Sequence, residues 1–315
     1  MAVEILKEKY TGKVNSITIG TGDKAVTVGG ATALPFHSFE GETGHRPLIA
    51  YEVLDLPPED APLAQKEAWG ALWSDPVKWA RYCQNELSAR AVALRLVSTD
   101  PDGKNAGPED AAETVKKVLA AIDIPLIILG CFKEAKDGQV LKAAADAARG
   151  RNCLIGKAQE ENYKTIAAAA ISNGHKLISF SNLDFNLSKQ INILLTQTGF
   201  DINDIVIDPT ASALGYGLEY TYSVIERIRA AGLVQNDTMM QPPMLLDLAS
   251  VVWKVKEVKA GEDQLPEWGD VKERGAHWEA STAVSMLMAG TEILVMSSPK
   301  AVQTVEKTID QLMAT

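Results

Sequence analysis

Short apolar runs and longer amphipathic stretches alternate along most of this chain. The runs are rich in aliphatic and β-branched residues, as expected for strands buried on both faces, and each is followed by a stretch with helical spacing. Gly, Pro and Asp residues mark the junctions. The pattern predicts strands at 48–54, 91–97, 125–129, 153–155, 176–180, 205–207, 244–248 and 292–296, and helices at 76–88, 109–122, 139–149, 160–172, 187–198, 218–231, 278–289 and 299–313.

This alternation predicts a single (β/α)8 TIM barrel of the α/β class, because no linker or break in composition interrupts it. Residues 14–30 precede the alternation and are typical of a β-hairpin with its turn at 21–24. We therefore divide the chain into an N-terminal hairpin and lead-in extension, 1–46, and a barrel, 47–315. Gly20-x-Gly22 lies in the hairpin and lacks the third glycine of a dinucleotide-binding turn, which argues against a doubly wound fold.

Composition narrows the classes of partner and site. The net charge is −10, which argues against nucleic acid or an anionic membrane as a partner. Neither a signal peptide nor an apolar stretch of about 18 residues is found, so we expect a cytoplasmic protein. The three cysteines are far apart and form no CxxC pair. They cannot supply the four thiolates of an iron–sulfur cluster, and buried free thiols are expected. The histidines show no metal-ligand spacing, so no metal site is predicted.

In a parallel barrel, sites are built where strands end. The run 201–219, DINDIVIDPTASALGYGLE, places Asp208, Thr210 and Ser212 on the loop after the sixth barrel strand. The alternative is a capped turn in which Asp208 only accepts hydrogen bonds from loop N–H groups. Lys157 ends the fourth strand and could form a Schiff base. The favoured interpretation of Lys157 is a rim lysine paired with a carboxylate such as Glu160 or Asp184.

Tryptophans concentrate in the segments that follow the first and seventh barrel strands. Trp69, Trp73, Trp253, Trp268 and Trp278 lie there, which predicts a broad apolar surface on the site face. Each of them taken singly is better explained by loop packing.

Three segments together resemble a known family. They are 36–42 (FHSFEGE), 50–55 (AYEVLD) and 205–241 (IVIDPTASALGYGLEYTYSVIERIRAAGLVQNDTMMQ). They are similar to the small subunit of the corrinoid iron–sulfur protein of the reductive acetyl-CoA (Wood–Ljungdahl) pathway, and the resemblance covers essentially the whole chain.

The resemblance implies a TIM-barrel subunit in an obligate heterodimer, whose large subunit carries a [4Fe–4S] cluster and a cobalamin-binding domain. The corrinoid would lie between that domain and the barrel. It would accept a methyl group from methyltetrahydrofolate through a methyltransferase and deliver it to acetyl-CoA synthase/CO dehydrogenase. Asp208, Thr210 and Ser212 would then face the corrinoid, and barrel geometry adds Asn182 on the neighbouring loop.

We expect a non-catalytic carrier subunit with no catalytic residue of its own. One alternative is a pterin-binding TIM-barrel methyltransferase acting on its own, with Asp100, Asn182 and Asp208 holding the pterin. A second alternative is a Schiff-base lyase that uses Lys157. Pterin binding by the isolated chain, or borohydride trapping of a carbonyl substrate, would distinguish these two from the carrier.

Overall fold

The computed structural model describes residues 7–314 and contains a parallel eight-stranded sheet with a separate two-stranded hairpin. Residues 1–6 and 315, which are the first residues of the predicted extension and the last residue of the predicted barrel, lie outside the described part. The hairpin strands are β1 (Ser16–Ile19) and β2 (Val26–Gly29). The barrel strands are β3 (Leu48–Leu54), β4 (Ala91–Arg95), β5 (Leu126–Leu129), β6 (Leu154–Ala158), β7 (Lys176–Phe180), β8 (Ile205–Asp208), β9 (Leu245–Asp247) and β10 (Ile293–Met296).

Helices follow the barrel strands and pack around them. The first strand is followed by α1 (Leu63–Trp69) and α2 (Pro76–Asn85), and the next five by α3 (Pro108–Ala121), α4 (Glu134–Ala147), α5 (Tyr163–Asn173), α6 (Phe185–Gln197) and α7 (Leu218–Leu233). After β9 come α8 (Ala249–Val252), α9 (Lys256–Lys259) and α10 (Val271–Ala289), and α11 (Pro299–Met313) follows β10.

Local sequence explains several helix ends. Asp75 precedes Pro76 and accepts hydrogen bonds from the N–H groups of Val77 and Lys78, which caps α2. Gly174 ends α5 in the left-handed conformation. The helix expected at 278–289 begins earlier, at Val271, because Asp270 caps it by accepting from the N–H of Lys272.

The strand order β8-β7-β6-β5-β4-β3-β10-β9 runs around a nearly closed barrel, confirming the predicted TIM-barrel fold. The last gap, between β8 and β9, is bridged where Ile207 pairs with Met244 and its N–H donates to the carbonyl of Pro243 at 2.9 Å. At this amino-terminal end of the barrel, Glu292 pairs with Arg229 at 2.6 Å and accepts from the N–H of Met244. A buried ion pair therefore supports the least regular junction of the sheet.

The hairpin closes the amino-terminal end of the barrel. Its strands pair antiparallel, with Ile17 opposite Val28. Its apolar face, which includes Ile17, Ile19 and Val28, is buried in one cluster with inward-facing barrel residues such as Leu48 and Ala91. The inside of the barrel is therefore apolar at this end, where the hairpin plugs it.

Candidate functional site

Five charged side chains form a layer inside the mouth of the barrel, the end made by the carboxyl ends of β3–β10. Side chains alternate along a strand, so residues two positions beyond the inner apolar residues Ala50, Ala93, Val206 and Leu245 also point inward. A register shift between β6 and β7 accompanies the inward placement of a fifth residue on β6. The resulting charged layer consists of Glu52, Arg95, Lys157, Asp208 and Asp247, all of which are buried.

Ion pairs connect all five members of the charged layer in the order Glu52, Arg95, Asp247, Lys157, Asp208. Arg95 donates from Nε to Oε1 of Glu52 at 2.7 Å and from Nη2 to both carboxylate oxygens of Asp247 at 2.8 Å. The Nζ atom of Lys157 lies 2.7 Å from Oδ2 of Asp208 and 3.8 Å from Oδ2 of Asp247. The short Lys157–Asp208 contact is therefore a salt bridge between two buried side chains.

The pKa values in the layer reflect the balance between burial and the two cations. Burial raises the pKa of Glu52 and of Asp208, and the adjacent Arg95 and Lys157 only partly offset it. At Asp247 burial acts in the same direction, but Arg95 and Lys157 together outweigh it and hold the pKa below its ordinary value. Asp247 is thus the ionised centre of the layer.

The interpretation of Lys157 as a rim lysine is wrong. Its side chain is only 6% exposed and points into the barrel. Neither expected partner, Glu160 or Asp184, pairs with it. Asp184 instead caps α6 by accepting from the N–H groups of Asn186 and Leu187. Carboxylates from β8 and β9 compensate the buried ammonium, and no sequence spacing brings those strands together.

Phe132 covers the two cations. Its ring centroid lies 4.8 Å from the guanidinium carbon of Arg95 and 4.3 Å from Nζ of Lys157, both within cation–π range. The residue has a left-handed φ of 67°, an unfavourable conformation for a large side chain. The buried carboxylate of Asp137 holds this loop by accepting from the N–H groups of Cys131 and Phe132, both at 2.9 Å.

Gly130 makes this loop arrangement possible. A Cβ atom at this position would lie 2.3 Å from the carboxylate carbon of Asp137. Burial raises the pKa of Asp137, although the hydrogen bonds that its carboxylate accepts from the two N–H groups lower it. The sequence analysis did not find this device, although an aspartate in the first turn of a helix is a signal of capping.

Two recesses open beside the charged layer. The first, called here the barrel cleft, has a volume of about 420 Å³ and is lined by residues that include Glu52, Leu54, Arg95, Phe132 and Trp253. The second, of about 320 Å³, lies between the loops after β8 and β9 and includes Ser212 and Tyr216. Ser250 and Lys254 line both recesses, so the two adjoin.

The predicted site residues occupy different depths. Asp208 is fully buried and accepts from the N–H of Thr210 at 2.9 Å. Thr210 has a left-handed φ of 81° and donates from Oγ1 to the carbonyl of Ser181 at 3.0 Å. The exposed Asn182 has its Oδ1 3.5 Å from Oγ1 of Thr210, whereas Ser212 lies apart in the second recess. The structure therefore brings Asn182 and Thr210 together above Asp208.

Glu52 and Arg95 are the members of the layer that sequence reasoning missed. Each is a charged residue inside an otherwise apolar strand, LIAYEVL for β3 and AVALR for β4. That interruption is the signal that could have found them, since a charge in a buried strand requires a partner.

The expected broad tryptophan surface is wrong, because Trp69, Trp253 and Trp278 are buried. They are packing residues, as expected of each singly, but Trp69 and Trp278 lie in helices α1 and α10 and not in loops. The indole N–H of Trp69 donates to the carbonyl of Ser297 at 3.0 Å, and that of Trp278 to the carbonyl of Leu214 at 2.8 Å. Trp253 is also buried, while Trp268 stays 48% exposed and packs against the ring of Trp278. These indoles therefore fix the segments around the mouth through packing and hydrogen bonds.

Glu279 of α10 is a further buried carboxylate that the sequence did not reveal. It accepts from the N–H groups of Ser297 and Ser298 at 2.7 and 2.8 Å, and from the indole N–H of Trp253 at 3.2 Å. Burial raises the pKa of Glu279 to about 7, despite these three hydrogen bonds. The side chain ties the end of β10 to the start of α11.

The cysteines are free, and Cys83 and Cys153 are buried as expected. Burial raises the pKa of Cys153 to about 12. Across residues 7–314, no group of three or more His, Cys, Asp or Glu side chains is placed to hold a metal ion. Over the same residues, none of the helices combines the length and apolar character needed to cross a membrane.

Comparison with known proteins gives one matching family and a set of relatives. The model of the family described as CO dehydrogenase/acetyl-CoA synthase delta subunit matches residues 16–306. The acetyl-CoA decarbonylase/synthase complex subunit delta of Methanocaldococcus jannaschii is 32% identical over 307 residues, covering 95% of this chain and 74% of the relative. Its counterpart from Methanothermobacter thermautotrophicus is 35% identical over 296 residues, covering 93% and 74%.

Solved structures with a similar fold include dihydropteroate synthases. The Xanthomonas albilineans enzyme superposes with a TM-score of 0.59 at 14% identity, covering 95% of this chain and 98% of that one. The Thermus thermophilus enzyme has a TM-score of 0.55, also at 14% identity, with 95% and 99% covered. At this identity the likeness shows the barrel fold and nothing about ligands.

Proposed function

The chain belongs to the CO dehydrogenase/acetyl-CoA synthase delta subunit family, and from that premise we propose that its barrel mouth covers one face of a corrinoid. Relatives bear the name of a subunit of the acetyl-CoA decarbonylase/synthase complex, so the chain is a member of a family of complex subunits. The alternative, a methyltransferase acting on its own, is not favoured by this membership. The corrinoid would act as a methyl carrier in acetyl-CoA synthesis.

The observation that carries the proposal is the chemistry of the mouth. A corrin ring is flat, apolar on its faces and fringed with amides. The mouth offers the exposed face of Phe132, polar loop groups such as Asn182 and Thr210, and a buried guanidinium N–H of Arg95 without a partner. Aromatic surface together with a few fixed donors is what such a ligand requires.

We assign different roles to the four proposed cofactor-binding residues. Asn182, Thr210 and Ser212 would contact the edge of the corrinoid. Asp208 is fully buried and therefore acts from below, through its hydrogen bond with the N–H of Thr210 and its pairing with Lys157. The hydrogen bond from its N–H group holds the backbone of Thr210, which has a left-handed φ.

The corrinoid, when bound, supplies a cobalt centre that accepts and releases a methyl group. The residues of this chain orient the ring, cover one of its faces and limit access of water. None of them is proposed to make or break a bond with the methyl group.

The proposed partners follow from the same assignment. A large subunit would carry the other half of the corrinoid site and a [4Fe–4S] cluster, because three widely separated cysteines cannot supply four thiolates. A methyltetrahydrofolate methyltransferase and acetyl-CoA synthase/CO dehydrogenase would dock in turn. We propose an obligate heterodimer in the cytoplasm, with residues 1–46 as an N-terminal extension and residues 47–315 as the barrel.

Reconstitution tests the proposal. The isolated chain is titrated with cobalamin by calorimetry, and the experiment is repeated with its large subunit present. We expect weak or no binding by the chain alone, and tight binding by the heterodimer, which should bury more than about 2,000 Å² in total. Hydrogen exchange should show protection of 182–184 and 210–217 only in the loaded heterodimer. Tight stoichiometric binding by the chain alone, or an unchanged exchange pattern at these loops, contradicts the shared site.

A further inference from the structure

The guanidinium of Arg95 has one hydrogen-bonding position left over. Its Nε and Nη2 atoms are bound by Glu52 and Asp247, whereas its Nη1 atom is buried without a hydrogen-bond partner. An unpaired buried N–H group costs about 1–3 kcal/mol, so an unfilled donor here needs an explanation. Because Arg95 lines the barrel cleft, a ligand group that enters the cleft is able to fill this position.

The neighbouring carboxylate restricts what that group is. Glu52 also lines the cleft, and only its Oε1 atom is bound by Arg95, so its second oxygen is left as an acceptor. The charged layer already holds three carboxylates against two cations, so a buried anion in the cleft would add repulsion. A ligand group that matches both Nη1 of Arg95 and the second oxygen of Glu52 is neutral and carries an acceptor beside a donor, as a primary carboxamide does.

The position of the cleft fits a ligand that spans the mouth. In the circular strand order, β4 lies opposite β8 and β3 lies opposite β7. Arg95 and Glu52 therefore face Thr210 and Asn182 across the barrel. A flat ring lying over the mouth and contacting the loops after β7 and β8 would present its far edge to the cleft.

We propose that the barrel cleft is a subsite for one side-chain carboxamide of the corrin ring, whose oxygen accepts from Nη1 of Arg95 and whose NH2 donates to Glu52. This inference rests on the proposed function. The ring of Phe132, which is 38% exposed and stacked over the guanidinium, shifts to admit the amide. The subsite sets the rotation of the corrin ring over the barrel, because only one side chain of the ring reaches it.

The test uses corrinoids in which a single amide has been hydrolysed to a carboxylic acid. Each isomer competes with cobalamin for the heterodimer of this chain and its large subunit, and binding is followed by the absorption spectrum of the corrinoid near pH 7.5. One isomer should bind about tenfold more weakly than cobalamin, since its carboxylate loses the donor to Glu52 and is repelled by it. The other isomers should bind within about threefold of cobalamin.

The variant Glu52→Gln identifies the source of this discrimination. It removes the repelling charge, so the penalty for the same isomer should fall to within about threefold. Glu292→Gln is the matched control, because Glu292 is also largely buried and paired with an arginine but lies at the opposite end of the barrel. This control should retain the full discrimination. Arg95→Lys, which keeps the charge without Nη1, provides a second variant and should weaken cobalamin itself about tenfold.

The outcomes distinguish failure of the proposed function from failure of the carboxamide subsite. If cobalamin binds the large subunit equally well with and without this chain, the proposed function fails. If the chain is needed for binding but every isomer binds alike, or the discrimination persists in Glu52→Gln, the carboxamide subsite is wrong and the proposed function stands.

Discussion

Replacing Lys157 with methionine should destabilise the chain strongly, because it leaves Asp208 as an uncompensated buried carboxylate. Methionine retains much of the volume of the side chain but removes the charge that lies 2.7 Å from Oδ2 of Asp208. Asp247 keeps its two hydrogen bonds from Arg95, so the loss falls mainly on Asp208. Breaking a buried ion pair from one side costs about 3–5 kcal/mol, and that is the expected decrease in the free energy of unfolding.

The measurement is urea unfolding of the full chain followed by circular dichroism near pH 7.5. Lys117→Met is the matched control, because Lys117 pairs with Glu113 on an exposed helix surface where both side chains are more than half exposed. This control should change the free energy of unfolding by less than about 1 kcal/mol. Adding Asp208→Asn to Lys157→Met should recover a large part of the loss, since the uncompensated charge is then gone.

The pH dependence of the stability of Lys157→Met tests whether the loss comes from the buried charge of Asp208. Burial already raises the pKa of Asp208, and Lys157 opposes that rise. Without the lysine, the pKa of Asp208 in the folded state rises further above its value in the unfolded state. The folded variant therefore holds the proton on Asp208 more tightly than the unfolded variant does. Stability of the variant relative to the wild type is then highest at low pH and is lost as pH rises through that pKa. A loss below about 1 kcal/mol that does not change with pH would refute the buried pairing.

Three further outcomes are expected. Relative to Glu279→Gln, the free energy of unfolding of the wild type should fall by about 3 kcal/mol between pH 4.5 and 7. The reason is that the folded-state pKa of Glu279, about 7, exceeds its unfolded-state value, so ionisation of the buried carboxyl is penalised as pH rises. Urea unfolding that shows the same pH dependence in the two proteins would contradict this. Gly130→Ala should lower the free energy of unfolding measured in urea by about 1–3 kcal/mol, because the added Cβ would clash with the carboxylate of Asp137. Gly103→Ala is the control, since its added Cβ would meet no atom closer than 3.7 Å, and it should change the free energy of unfolding by less than about 0.5 kcal/mol. Arg274→Met should remove hydrogen-exchange protection from residues 256–270 while leaving the barrel strands protected. The reason is that the Arg274 guanidinium donates to five backbone carbonyls of this segment. Loss of protection in the barrel strands as well would contradict this local role.

The barrel itself was readable in the sequence because its elements depend on local patterns. Strands buried on both faces require continuous apolar runs, and β3, β7 and α11 have the bounds that were predicted. Caps such as Asp75 and Gly174 act within a few residues and are equally visible in one dimension. The extra turns of α10 and the short helices α8 and α9 were missed, since their segments lack a clear apolar period.

The site was readable only in part. Sequence position identified the loop that carries Asp208 and Thr210, because parallel strands bring their carboxyl ends to one face of a barrel. It did not reveal that Asp208 lies buried beneath that loop, that Lys157 turns inward to pair with it, or that Arg95 joins Glu52 to Asp247. These partners come from β3, β4, β6, β8 and β9, which are far apart in the chain. Closure of the barrel decides which charges meet and how deeply they are buried, so only the tertiary structure determines the electrostatics of the mouth.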